Sequence, residues 1–293
     1  MFDVVVIGNG PAGISAALYT LRANLKTAIV SVGLGSLKKA HLIENYYGVG
    51  AVSGTHLHAF GVAQATELGG EIITAEVLNV AQNDENFIVD TTLGKHETRA
   101  VIIACGFTRV KSGVKTLDEF KGSGVSSCAV CDGFFYKDKD VGVLGSGSYA
   151  VNEANYLKNL AKTVTIFTDG QKLAEELPSR INLINEAVES VEIEENVLTN
   201  RQLFKGVKCD SGKVYGLDGL FLAVGTASAV NFAQKLGIIT NDKGNILVDD
   251  ESKTNIGGVF ACGDCTGGVA QIGVAVGSGV VCGLSVIKYL RKG

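Results

Sequence analysis

Val4-Val5-Val6-Ile7-Gly8-Asn9-Gly10-Pro11-Ala12-Gly13 is the stretch on which the fold turns. Its four apolar residues suit a short buried strand of a parallel sheet, and Gly8, Gly10 and Gly13 follow in GxGxxG order. Glycines at this spacing allow a tight turn, close approach of backbone to a pyrophosphate, and close packing of the next helix. Ile14 to Asn24 (ISAALYTLRAN) supplies that helix, and Thr27 to Val30 gives a second strand at βαβ spacing. Free N–H groups and the positive dipole end at the helix start suit an anion. With strand, helix and second strand in place, the stretch predicts dinucleotide binding; taken alone the motif also fits a structural glycine turn.

A second unit of the same kind is Val141 to Ala150 (VGVLGSGSYA), with Gly145 and Gly147 in the turn and Ala150 in the third place. Val164 to Phe167 can form its next strand, but Thr168-Asp169-Gly170 follows, without an arginine for a 2′-phosphate. This disfavours NADPH and leaves an NADH ribose contact by Asp169 open. The bulky Tyr149 favours a turn that keeps the fold and has lost its pocket. Ile102 to Gly106 (IIACG) reads as a strand ending in small residues, and the chain from Gly258 as a strand, a glycine turn and a long helix with a small-residue face. The expected architecture is α/β, with two Rossmann-like, three-layer nucleotide-binding domains, the second inserted into the first. The first domain takes residues 1–111 and 227–293 and the insert 112–226, with hinges at Lys111–Gly113 and Thr226–Ser228.

Composition narrows the function classes. Glycine contributes 38 of 293 residues, about 13 % against a usual roughly 7 %. Two prolines, no G-X-Y period and 46 % hydrophobic residues exclude collagen, linker and disordered chains. A net charge of -4 without a dense basic run makes nucleic acid an unexpected partner. The N-terminus reads as a strand rather than a signal peptide, and Val274 to Ile287 is broken by glycines and serines and too short to span a bilayer. A cytoplasmic protein without a membrane partner is expected. Seven cysteines, an odd number, argue against a disulfide framework and leave catalytic, metal-binding or plain buried roles.

Inside the insert stands Ser127-Cys128-Ala129-Val130-Cys131-Asp132-Gly133. A CxxC pair can close a redox disulfide whose thiolates are tuned by a helix start or a nearby proton carrier. A zinc ribbon would need a second pair at closer spacing than Cys262-Gly263-Asp264-Cys265, so no metal is expected. Cys262 and Cys265 read as small buried fillers, and Cys105, Cys209 and Cys282 as inert.

The runs IGNGPAG, IENYYG at Ile43 to Gly48, SSCAVCDGFFYK just before the second glycine turn, and VFACGDCTGGVAQIGVAVGSG, in this order, resemble the low-molecular-weight thioredoxin reductases over essentially the whole chain. The resemblance implies an FAD-binding domain split by a pyridine-nucleotide-type domain that carries the disulfide, a homodimer, and thioredoxin as substrate. It assigns Gly8, Gly10, Pro11, Ala12 and Gly13 to the FAD pyrophosphate, with Gly35, Ser36, Leu37 and Asn45 lining the cofactor. Val77 belongs to the same set, Ala104, Cys105 and Gly106 form a second edge, and Gly263 with Asp264 meets the ribityl or phosphate side. Gln271 and Ile272 match the place that reaches the isoalloxazine, although Ala270 stands where an arginine is common. It also makes Cys131 flavin-proximal, Cys128 the interchange thiol, and Asp132 the acid that protonates the departing thiolate; a helix cap is the plainer role for Asp132.

One region departs from the family. Its NADPH mark, His-Arg-Arg-x-x-x-Arg, is replaced by Thr168-Asp169-Gly170-Gln171-Lys172-Leu173-Ala174. Losing the arginines removes the bidentate phosphate contacts and Asp169 adds repulsion. This is similar to the ferredoxin-dependent flavin thioredoxin reductases, so the expected donor is ferredoxin. A plant-type ferredoxin near −400 mV and thioredoxin near −270 mV leave roughly 130 mV, on the order of 6 kcal/mol for two electrons. Lys38, Lys39, Lys137 and Lys139 either form a basic patch for an acidic donor or are ordinary solvated lysines. The rival readings are an NADH- or NADPH-dependent thioredoxin reductase and a flavin-binding redox sensor without turnover. A ferredoxin–NADP reductase would not need the CAVC motif.

Overall fold

The structure, a computed structural model, describes residues 1–106, 113–114, 116–196 and 201–291. The chain divides into two compact units, Met1–Thr108 with Ser228–Gly293, and Arg109–Ala227. Of the expected first hinge, residues 111–112 lie outside the described residues. The second ends in a helix cap, because the Ser228 and Asn231 side chains exchange hydrogen bonds with each other's backbone.

The first unit opens with β1 (Phe2–Ile7), α1 (Pro11–Arg22) and β2 (Thr27–Ser31), then α2 (Gly54–Glu67), β3 (Glu71–Thr74), β4 (Val77–Asn83), β5 (Asn86–Thr91) and β6 (Gly94–Ile103). Their order in the sheet is β3-β2-β1-β6-β5-β4, parallel from β3 to β6 and antiparallel from β6 to β4. Val4, Val5 and Val6 are wholly buried, so the strand is apolar on both faces instead of alternating. Phe2 to Ile7 pair with Thr98 to Ile103, which places the end of β6 beside the glycine turn.

The second unit contains β7 (Val125–Ser126), α3 (Ala129–Asp132), β8 (Asp140–Leu144), α4 (Ser148–Leu157), β9 (Thr163–Phe167) and β10 (Asn182–Ile184). It continues with β11 (Val188–Asn196), β12 (Arg201–Cys209), β13 (Val214–Gly216) and β14 (Gly219–Leu222). A parallel sheet runs β10-β9-β8-β14-β7, and β11, β12 and β13 form an antiparallel sheet. Leu144, Phe167, Val207 and Leu220 share the core. The crossover from β9 to β10 carries no helix, although parallel neighbours are usually joined by one.

The chain then returns to the first unit as α5 (Ala229–Leu236), β15 (Val259–Ala261) and α6 (Ile272–Leu290). β15 pairs with the last residues of β6, on the side that β5 has left. The 19 residues of α6 exceed the apolar stretch read from the sequence and are long and apolar enough to cross a membrane by length and composition. In this unit the small-residue face of the helix packs on α1: a Cβ at Gly279 would lie 2.2 Å from the Ala12 carbonyl oxygen, and one at Gly283 2.7 Å from that of Ala16. Val274, Val281 and Leu284 on α6 are exposed.

Gly279→Ala is therefore expected to cost about 1–3 kcal/mol through overpacking against backbone. Gly277→Ala, where a Cβ meets nothing within 4 Å, should be neutral or gain up to about 1 kcal/mol in helix propensity. Urea unfolding of the two variants checks both signs.

Candidate functional site

In the first unit the glycine turn is built by close backbone approach. Gly8 has φ +111°, and a Cβ there would lie 2.4 Å from the Ala104 carbonyl oxygen, while one at Gly13 would lie 1.9 Å from that of Gly8. Gly10 differs, because a Cβ there meets nothing within 4 Å. It starts α1 without a side-chain cap, Pro11 takes the first helical position, and no acidic residue stands in the first turn. An uncapped helix start with open space beside it fits a phosphate-bearing group.

Other candidates converge on this turn. A Cβ at Gly263 would fall 2.8 Å from that of Ala12, so the GD segment abuts the start of α1. The Asp264 carboxyl is half-buried and makes no hydrogen bond or ion pair among the described residues. Asn45 Nδ2 donates to Gln271 Oε1 at 3.2 Å, joining candidates 226 positions apart. A cavity of about 440 Å³ is lined by Gly10, Pro11, Leu37 and Ile272, and also by Tyr46 and His58. His58 Nε2 is buried without a hydrogen-bond partner among the described residues, and burial holds this histidine below its ordinary pKa. His58 carried no motif signal, whereas Tyr46 lay within IENYYG. Gly35, Ser36, Val77, Cys105 and Gly106 do not line this cavity; Val77 is buried at the start of β4. The residues present fit an FAD pyrophosphate at Gly10 to Gly13. Gly10→Ala should leave the apoprotein's stability within about 0.5 kcal/mol and lower bound flavin, measured by absorbance after gel filtration, because the new methyl enters the open space.

The second unit holds the cysteine pair. Cys128 and Cys131 form a disulfide, and Cys128 is the N-cap of α3, its Sγ accepting the Cys131 N–H at 3.1 Å. Cys128 is 2 % exposed whereas Cys131 is exposed. Val130, Phe134 and Phe135 stand exposed in the same segment, at 41, 72 and 69 %. Asp132 stands at the N-cap position of the short turn Gly133–Tyr136. No backbone N–H is capped by its side chain; instead Ser126 Oγ donates to its Oδ2 at 2.6 Å.

Helix α4 serves this loop. Tyr149 is buried with its hydroxyl donating to the Ser127 carbonyl at 3.4 Å, and the buried Glu153 accepts the Ala129 N–H at 2.9 Å. Neither role was legible from spacing. The turn before α4 is meanwhile covered from within its own unit. Ala174 N–H donates to the Ser146 carbonyl at 2.8 Å, and Ser146 Oγ donates to Gln171 Oε1 at 3.3 Å. Asp169, at φ +55°, accepts the Val188 N–H at 2.9 Å, so this carboxylate braces the loop. Segment 171–174 is thus bonded to the turn through Ser146, and it contains no arginine.

Cys105, Cys209, Cys262, Cys265 and Cys282 are free thiols, all buried except the half-buried Cys105. Burial pushes Cys105 up to about 12 and Cys209 up to about 11. Cys262 is raised by its hydrogen bond with Cys282 and by burial, and Cys265 by burial. A raised thiol pKa removes thiolate at any pH below it. Iodoacetamide at pH 8 should therefore label Cys131 of the reduced protein and spare these five, Cys282 through burial alone; peptide mass spectrometry checks this.

Comparison with known proteins agrees with this geometry. The pyridine nucleotide-disulphide oxidoreductase profile matches residues 2–279. The thioredoxin reductase of Listeria monocytogenes is 34 % identical, covering 100 % of this chain and 95 % of that protein. The crystal structure of the atypical thioredoxin reductase TRi from Desulfovibrio vulgaris Hildenborough superposes with a TM-score of 0.91 at 33 % identity, covering 100 % and 99 % of the two chains. A ferredoxin-flavin thioredoxin reductase from Clostridium acetobutylicum gives 0.73 at 29 % identity, with 100 % and 99 % covered. With its glycine cradle, its CxxC disulfide and full-length relatives, the chain belongs to the pyridine nucleotide-disulphide oxidoreductase family, among the thioredoxin reductase flavoproteins, whose cofactor is FAD.

Proposed function

We propose that the protein reduces thioredoxin with electrons from reduced ferredoxin, through FAD and the Cys128–Cys131 disulfide. Bound FAD supplies the conversion of single-electron input into two-electron disulfide reduction. The observation that carries the choice of donor is the covered turn: Ala174 and Gln171 bond to Ser146, and no arginine stands between Thr168 and Ala174. NADH fares no better than NADPH, because Asp169 already accepts the Val188 N–H. Exposed Lys38 and Lys39 suit an acidic donor protein.

At the disulfide, exposed Cys131 takes the interchange role and buried Cys128 the resolving one. Val130, Phe134 and Phe135 give the apolar contact that a protein disulfide needs around its sulfur. Asp132 handles the proton of the leaving thiolate. The exposed apolar side of α6 suits a second copy of the chain, and the free thiols suit a reducing compartment, so a cytoplasmic homodimer completes the proposal.

Anaerobic titration of the flavin-loaded protein with NADH, NADPH and reduced ferredoxin tests the donor. Loss of the visible flavin band is expected with ferredoxin alone, and rapid full bleaching by NADPH overturns the assignment.

A further inference from the structure

Ser126 is buried and stands two residues before Cys128. Its Oγ accepts the Cys128 N–H at 3.1 Å and lies 2.6 Å from Asp132 Oδ2 and 3.4 Å from the Cys128 carbonyl oxygen. A hydroxyl has one proton to give, and the shorter contact to the carboxyl oxygen takes it. The adjacent Ala129 N–H is directed to Glu153, so it does not compete for Asp132. The Asp132 carboxyl is thereby tied to the backbone of Cys128, and none of these bonds uses a sulfur atom.

We propose that Ser126 is a positioning residue for disulfide exchange, holding the Asp132 carboxyl beside the cysteine pair in both oxidation states. The proposal rests on the reading above, in which Asp132 carries the proton. In the exchange, the Cys131 thiolate attacks one sulfur of the partner's disulfide; the S–S bond breaks, a mixed disulfide forms, and the leaving sulfur takes the Asp132 proton. Cys128 then gives its proton to the Asp132 carboxylate and attacks Cys131 Sγ. This re-forms the Cys128–Cys131 disulfide and releases the second partner sulfur, which is protonated by water. The pair loses two electrons and the partner gains two. Without the Ser126 hydroxyl the carboxyl is free to turn toward solvent, and a proton donor displaced from the leaving sulfur loses rate steeply.

The test uses the flavin-loaded protein, reduced with dithionite under anaerobic conditions and freed of excess reductant. It is mixed with 2-hydroxyethyl disulfide, whose alkyl thiolate needs a proton to leave, or with an aromatic disulfide, dithiobis(nitrobenzoate), whose thiolate leaves unprotonated. The quantity read is the ratio of the two rates as a function of pH. The titratable groups around the cysteine loop are Glu153 on the Ala129 N–H, Tyr149 on the Ser127 carbonyl and Tyr156 beside Gly133, all from α4, with Tyr136 near Asp132 and Asp218 near Tyr136. Ser126→Ala should lower the alkyl-to-aromatic ratio roughly tenfold. Ser126→Thr, which keeps the hydroxyl, should restore it. Asp132→Asn should lower the ratio further and abolish the carboxyl limb of the pH profile, and adding Ser126→Ala to it should change nothing more. Equal slowing of both disulfides by Ser126→Ala, or multiplicative losses in the double variant, overturns the positioning role. An unchanged ratio in Asp132→Asn overturns the role of Asp132 as proton carrier, and with it the proposal.

Discussion

The Gly8 carbonyl oxygen occupies the space where a side chain at position 13 would begin. A Cβ there would lie 1.9 Å away, a separation no real contact sustains, so only glycine lets α1 start so close to the end of β1. Much of the first unit follows from that approach. Helix α1 presents an uncapped first turn, and Gly279 and Gly283 bring α6 onto its carbonyls. Ile272, at the start of α6, then lines the same cavity as Gly10 and Pro11, and the Gly263 segment meets Ala12. A cofactor site assembled from segments far apart in the chain thus depends on contacts between backbone atoms.

The second unit keeps the same constraint and uses it differently. A Cβ at Gly145 would lie 2.1 Å from the Ala223 carbonyl oxygen, so this turn is as tightly determined as the first. Yet Ser146 is bonded to Ala174 and Gln171, and Tyr149 and Glu153 of the following helix support the cysteine loop. A fold can persist on its backbone contacts while the side chains around it take up another task. The helixless crossover after β9 belongs to the same change, since its residues are the ones that lie on the turn.

The free thiols show burial deciding chemistry. Cys262 and Cys265 have CxxC spacing, as Cys128 and Cys131 do, but form no disulfide in the interior, where the hydrogen bond with Cys282 and burial raise the pKa of Cys262 and burial raises that of Cys265. Cys265 Sγ instead shares its one S–H between the Ile103 and Cys262 carbonyl oxygens, at 3.3 and 3.2 Å. Identical spacing therefore gives a disulfide in one place and two inert fillers in the other.

The sequence by itself determined what depends on residue type within a few positions. The strand, glycine turn and helix of each nucleotide-type unit, the CxxC pair, and the missing arginines after Phe167 are all of this kind, because glycine conformations and ligand chemistry are local properties. The length of the apolar helix was less legible, since Gly279 and Gly283 continue α6 by packing against α1, where propensity alone suggests a break. Tertiary structure alone decided that Cys131 faces outward while Cys128 is buried, that Asp132 receives the Ser126 hydroxyl instead of capping a helix, and that Asp169 braces Val188. It also brought Asn45 to Gln271 and Glu153 to Ala129. Each of these is a contact through space, fixed by the packing of a whole unit, and no local pattern of residues encodes which partner a polar side chain will meet.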